Sequence, residues 1–140
     1  MLTISRQTDY ACRVILHLAT LPSGTRVTAQ EIAAQRIIPR AFVRRVITRL
    51  GKAQLITTTR GREGGIALAR PASEISLLDV TRAMEGEIAL NTCVIEPTEC
   101  PLMQVCSVHE VWVEAHAQLV AHLAQATFDQ LAQRARVLAE

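Results

Sequence analysis

A change of period near Leu55 limits the folds open to this chain more than any other feature. Before it, apolar residues recur at three- and four-residue spacing, the mark of helices with one buried face. Tyr10, Val14, Ile15 and Leu18 fall along one side of a first helix, from about Arg6 to Leu21, which Pro22-Ser23-Gly24 ends. Thr28 and Glu31 have capping-box spacing and open a second helix that reaches about Gln35. Pro39 suits a first helical position, so a third helix runs from there to about Leu50, where Gly51 closes it. After it, Leu55-Ile56-Thr57-Thr58-Thr59 is β-branched and strand-like. The turn Arg60-Gly61-Arg62-Glu63-Gly64-Gly65 then leads into a second strand, Ile66-Ala67-Leu68-Ala69. Three short helices followed by a hairpin with a basic tip predict a winged helix-turn-helix.

The rest of the chain returns to helix. Ser76-Leu77-Leu78-Asp79 caps a fourth helix ending near Gly86. A long helix runs from about Ser107 to Ala126, with Val108, Trp112, Ala115 and Leu119 on one stripe, and Thr127 opens a last short helix. The expected fold class is mainly α with a small β-hairpin wing. Residues 1–86 form a winged helix-turn-helix DNA-binding domain and residues 87–106 a cysteine cluster-binding loop. Residues 107–140 supply a dimerisation helix and a C-terminal short helix.

Charge divides the chain. Residues 1–70 hold 12 Lys/Arg against Asp9, Glu31 and Glu63, a balance of +9; residues 71–140 hold three Arg against ten acids, a balance of −7. Seven basic residues and no acid lie between Arg40 and Arg62. A solvated surface mixes signs, whereas a basic half is an electrostatic footprint for double-stranded DNA. On the third helix, Arg40 and Arg44 lie one turn apart opposite Val43, Val46, Ile47 and Leu50, placed to read base edges. Arg45, Arg49 and Lys52 suit phosphates, and Pro39 and Phe42 complete the candidate DNA-binding set on this helix. Arg60, Gly61 and Arg62 at the wing tip would reach an adjacent backbone or minor groove. Alone, these arginines would be a solvated helix face and these glycines only a turn; the basic run, helix order and wing together favour DNA.

Cys93, Cys100 and Cys106 crowd one segment of a chain with four cysteines in all. Pro97 and Pro101 bar a regular helix through its middle, so the loop can bring its thiols toward one point. No apolar run approaches the ~20 residues that span a bilayer, and Met1 to Arg6 lacks the apolar core of a signal peptide. A cytoplasmic protein is expected, and there clustered thiols favour metal over disulfides. The spacing Cys-x6-Cys-x5-Cys-x2-His lacks the tight pairs of zinc sites and suits a wider iron–sulfur cluster. His109 and Asp9 are the candidate fourth ligands; their plain readings are a helix-start histidine and a helix N-terminal acid. Cys12 reads as a small core residue, and His17, His116 and His122 as structural or surface groups. No nucleotide loop, catalytic dyad or partner-cluster motif is present, so an enzyme is not expected.

Several motifs together resemble the Rrf-two family of bacterial winged-helix regulators, of the IscR and NsrR type. They are Thr8-Asp9-Tyr10-Ala11, the wing from Arg60 to Leu68, Arg70-Pro71-Ala72, Ile75 to Val80, then the cysteine loop and Trp112 in order. The resemblance covers essentially the whole chain. It implies a homodimeric, repressor-type transcription regulator on a near-palindromic operator, with its long C-terminal helices crossing. It also implies an iron–sulfur cluster on Cys93, Cys100 and Cys106. IscR-type members add a histidine matching His109 and hold 2Fe–2S; NsrR-type members add an acid matching Asp9 from the partner subunit and hold 4Fe–4S. This chain carries both candidates, its first cysteine gap is one residue longer than the IscR pattern, and its third helix lacks the Ser/Tyr/Glu set of that type. The expected signal is redox state, nitric oxide, oxygen or iron–sulfur status. The alternative is a DNA-binding regulator with structural zinc or a thiol switch.

Overall fold

The computed structural model describes residues 3–140; Met1 and Leu2, part of the N-terminal stretch read above, lie outside the described residues. Helix α1 (Arg6–Thr20) is the central element, capped by Ser5, whose hydroxyl accepts from the Thr8 backbone N–H. Ala11, Val14 and Ile15 on its inner face are fully buried. Helix α2 (Ala29–Arg36) starts at Thr28, whose hydroxyl accepts from the Glu31 N–H. Helix α3 (Arg40–Lys52) turns Val43, Val46, Ile47 and Leu50 inward onto α1.

Two turns around α3 differ from the expectations. Pro39 is the N-cap rather than the first helical residue, with its carbonyl accepting from Phe42 and Val43. Gly51 does not close the helix, which continues to Lys52. Instead Gln54 takes the left-handed conformation at φ 61°, Gln54 N–H bonds the Gly51 carbonyl and Leu55 N–H bonds that of Leu50. This pairing satisfies the last carbonyls and leaves both Leu50 and Leu55 buried in one core cluster, so the end is set by apolar burial rather than by glycine. The end of α2 is built alike: Ile37 is left-handed (φ 55°, ψ 55°), Ile38 N–H bonds the Ala33 carbonyl, and Ile38 is buried. A β-branched residue there costs about 1–2 kcal/mol.

Strands β1 (Ile56–Thr59) and β2 (Gly65–Leu68) pair antiparallel, Ile56 opposite Leu68 and Thr59 opposite Gly65. Val27 adds one bridge to Ile66, anchoring the wing to the body. Helix α4 (Leu77–Glu85) begins with a full capping box between Ser76 and Asp79 and ends at Gly86, φ 80°. The cysteine segment is not a plain loop. It holds one α-turn, α5 (Thr92–Ile95), and 3-10 turns at Pro97–Glu99 and Met103–Val105. Helix α6 (Ser107–Gln125) packs on α4 and α5 and has no buried residue. Helix α7 (Phe128–Leu138) then returns to α1. Phe128 is 1% exposed, and backbone bonds from Leu77 to the Ala126 carbonyl and from Phe128 to the Ile75 carbonyl lock that return.

Candidate functional site

Burial of one face of α3 fixes what the other presents. Arg40, Arg44 and Arg45 are exposed, and the N-terminal part of α3 borders a groove of about 850 Å³ shared with Thr28, Gln30 and Ile38. Arg49 is also exposed, but its Nη1 donates to the Met84 carbonyl at 2.9 Å and ties α3 to the end of α4. Phe42 is half-buried, its ring 5.5 Å from that of Tyr10, so the ring is a contact with the body. Arg60, Gly61 and Arg62 lie exposed at the wing tip. Gly61 holds φ 104°, and a side chain on Gly64 would collide with the Thr59 carbonyl. The two glycines therefore make a tip that only a bare backbone can turn.

Cys93, Cys100, Cys106 and His109 line one cavity of about 400 Å³. Each comes from a different local structure: Cys93 from α5, Cys100 from the end of the first 3-10 turn, Cys106 from the N-cap of α6, and His109 from its first turn. All four cysteines are free thiols. The His109 Nδ1 is buried without a hydrogen-bond partner. Glu96, Glu99 and Trp112 line the same cavity and were not singled out from the sequence as site residues, although both glutamates fall inside the Cys93–Cys100 gap. Among the described residues no three His, Cys, Asp or Glu side chains are gathered closely enough for a single metal ion. Three soft thiols and an unpartnered imidazole around one cavity are nonetheless a donor set that fits an iron–sulfur cluster.

Asp9 is not among the residues lining that cavity. It sits exposed on α1 and pairs with Arg13 at 2.8 Å. Arg13 in turn donates to the carbonyls of Arg36 and Ile37, at 3.1 and 3.0 Å, and its guanidinium lies 5.2 Å from the Tyr10 ring centre. Cys12 packs against the core; burial, and then the nearby Asp9 carboxylate, push its thiol up to about 12. His17 is buried and accepts from Arg36 Nε at 3.1 Å, with burial the main cause holding its imidazole below the usual range. Thr8 donates to Glu85 at 2.7 Å, joining the start of α1 to the end of α4 and holding that carboxyl below its usual range.

A three-helix unit with an antiparallel two-stranded wing and an outward basic helix defines a winged helix-turn-helix protein. The family model Rrf2, described as "Iron-dependent Transcriptional regulator", matches residues 4–134. The chain belongs to the Rrf2 family, whose members are transcriptional regulators and not enzymes. It is 31% identical over 131 residues to the HTH-type transcriptional regulator NsrR of Oceanobacillus iheyensis, covering 93% of this chain and 89% of that one. A protein of Mycobacterium tuberculosis is 43% identical over 86 residues, and that match spans 61% of this chain but about half, 53%, of the relative. The fold is similar to CymR, the global cysteine regulator of B. subtilis (TM-score 0.74, 22% identity, 96% and 98% of the two chains). It is also similar to T. potens IscR (TM-score 0.72, 24% identity, 95% and 88%). No helix among the described residues is long and apolar enough to cross a membrane.

Proposed function

We propose that this chain is a homodimeric DNA-binding transcription regulator that senses redox state, nitric oxide, oxygen or iron–sulfur status through an iron–sulfur cluster. The observation that carries the reading is the single cavity shared by Cys93, Cys100, Cys106 and His109 at the root of α6. Cys93, Cys100 and Cys106 would hold the cluster as thiolates, and His109 would complete it through its unpartnered Nδ1. When bound, the cluster supplies an iron centre whose oxidation or loss reports the signal. Asp9 of the partner subunit is the rival fourth ligand. The family description as iron-dependent supports an iron-based signal.

The remaining steps belong to the chain itself. Arg40 and Arg44 would enter a major groove, and Arg45, Arg60 and Arg62 would hold phosphates on either side. A dimer would present two such helices, hence a near-palindromic operator. The segment from α5 to α6 lies between α4 and the long helix, so rearranging it changes the separation of the two α3 helices. The signal acts only through its different free energy in those two arrangements. A second reading is a thiol switch or structural zinc in place of the cluster; the fold shared with CymR, a cysteine regulator, supports the thiol switch.

Non-denaturing mass spectrometry of anaerobically purified protein separates these. A dimer with two 2Fe–2S masses supports His109, and two 4Fe–4S masses support Asp9. Zinc, or no metal after anaerobic reconstitution, defeats the cluster and leaves the second reading.

A further inference from the structure

We propose that Ile37 is an apolar DNA contact at the edge of each half-site, a role that rests on the DNA-reading function above. The turn from α2 to α3 demands a left-handed residue at this position. Ile38 must be buried one residue on, and Arg13 pins the carbonyls of both Arg36 and Ile37. Glycine meets that demand without strain, whereas isoleucine, branched at Cβ, is among the residues least suited to it. The fold gains nothing in return, since Ile37 is 81% exposed. A strained residue with no internal packing points to a contact outside the chain.

The surroundings say what that contact is. Ile37 stands two residues before the N-cap of α3 and three before Arg40, and Arg40, Arg44 and Arg45 are exposed charges in the first two turns of that helix. The basic half has only three acids: Asp9 is held by Arg13, and Glu31 and Glu63 lie at the start of α2 and on the wing. This basic half suits a polyanion, and the apolar parts of a DNA strand are its deoxyribose rings and thymine methyl groups. A second copy of the chain has a different apolar surface to meet, the exposed valines of α6.

The test compares wild type with Ile37→Gly and Ile37→Asn, two residues that accept the left-handed conformation. Duplexes selected from a random pool by the wild-type protein serve as the probe, with binding read by fluorescence anisotropy across a salt series. Both variants are expected to melt a few degrees higher, because strain is removed. Both are expected to bind roughly five- to tenfold more weakly, as burial of one partly covered apolar side chain is lost. The slope of log affinity against log salt should stay unchanged, since no phosphate contact is removed, whereas Arg45→Ala should make it shallower. Wild-type affinity in both Ile37 variants would overturn the proposal. So would dissociation of the dimer in sedimentation runs with half-site affinity intact, which would assign Ile37 to the partner subunit. If wild type itself selects no sequence and binds no duplex, the DNA reading falls and this proposal with it, a result distinct from a defect confined to Ile37.

Discussion

His17 shows how one buried side chain sets a pH response. Its Nδ1 accepts from Arg36 Nε, which requires a neutral ring, and burial followed by the Arg36 charge lowers its proton affinity in the folded state. The unfolded chain takes up that proton more readily, near pH 6.5. Stability from this residue is therefore complete above that pH and is lost as pH falls through the unfolded value toward the lower folded one. Melting curves from pH 7.5 to 5.5 should show a fall that His17→Gln reduces, with about 1 kcal/mol lost at pH 7.5 from a weakened hydrogen bond. An identical pH slope in the variant would count against the assignment. Cys12 carries the opposite message. With its thiol pushed up to about 12, it is expected to be the slowest of the four cysteines to react with iodoacetamide at pH 8, read by peptide mass mapping of cluster-free protein. Labelling of Cys12 ahead of Cys93, Cys100 and Cys106 would contradict its place in the core.

At the scale of elements, short-range chemistry was legible. Ser76 and Asp79 cap α4 as their spacing implied, and Ser76→Ala is expected to cost about 1 kcal/mol in denaturant melts. The wing was legible for the same reason, because β-branched runs around a glycine turn admit few structures. Gly64→Ala should leave the helices intact by circular dichroism yet weaken DNA binding, since its new methyl meets the Thr59 carbonyl and displaces Arg60 and Arg62. Unaltered DNA affinity would mean the wing tip tolerates displacement. What the sequence hid were contacts between distant segments. Gly51 looked like a stop signal, but burial of both Leu50 and Leu55 in the core moved the left-handed residue to Gln54. The return of α7 onto α1, with Phe128 at its centre, depends on residues more than a hundred positions apart, which no local period encodes. The cysteines could be counted, but their convergence with Glu96, Glu99 and Trp112 on one cavity needed the turns of α5 and its neighbours.

At the scale of the molecule, a basic reading half is joined to a long helix that its own chain covers only in part. No residue of α6 is buried, and Val108 and Val111, one turn apart, are 57% and 63% exposed. Such a stripe has its use against a second copy, where two-fold pairing would cover the same valines on both chains. Val111→Glu tests this without touching the core or the cysteine cavity, which Val111 does not line. Sedimentation velocity at micromolar concentration is expected to show a monomer, with the helical content of the body unchanged. Because two α3 helices joined by one interface bind as a linked pair, full-site affinity should fall by roughly two orders of magnitude while half-site affinity stays as it was. A dimer of unchanged mass with full-site affinity intact would move the interface off α6. It would also separate the cysteine cavity from the spacing of the two reading heads, because α6 is the element through which the cavity would act on both.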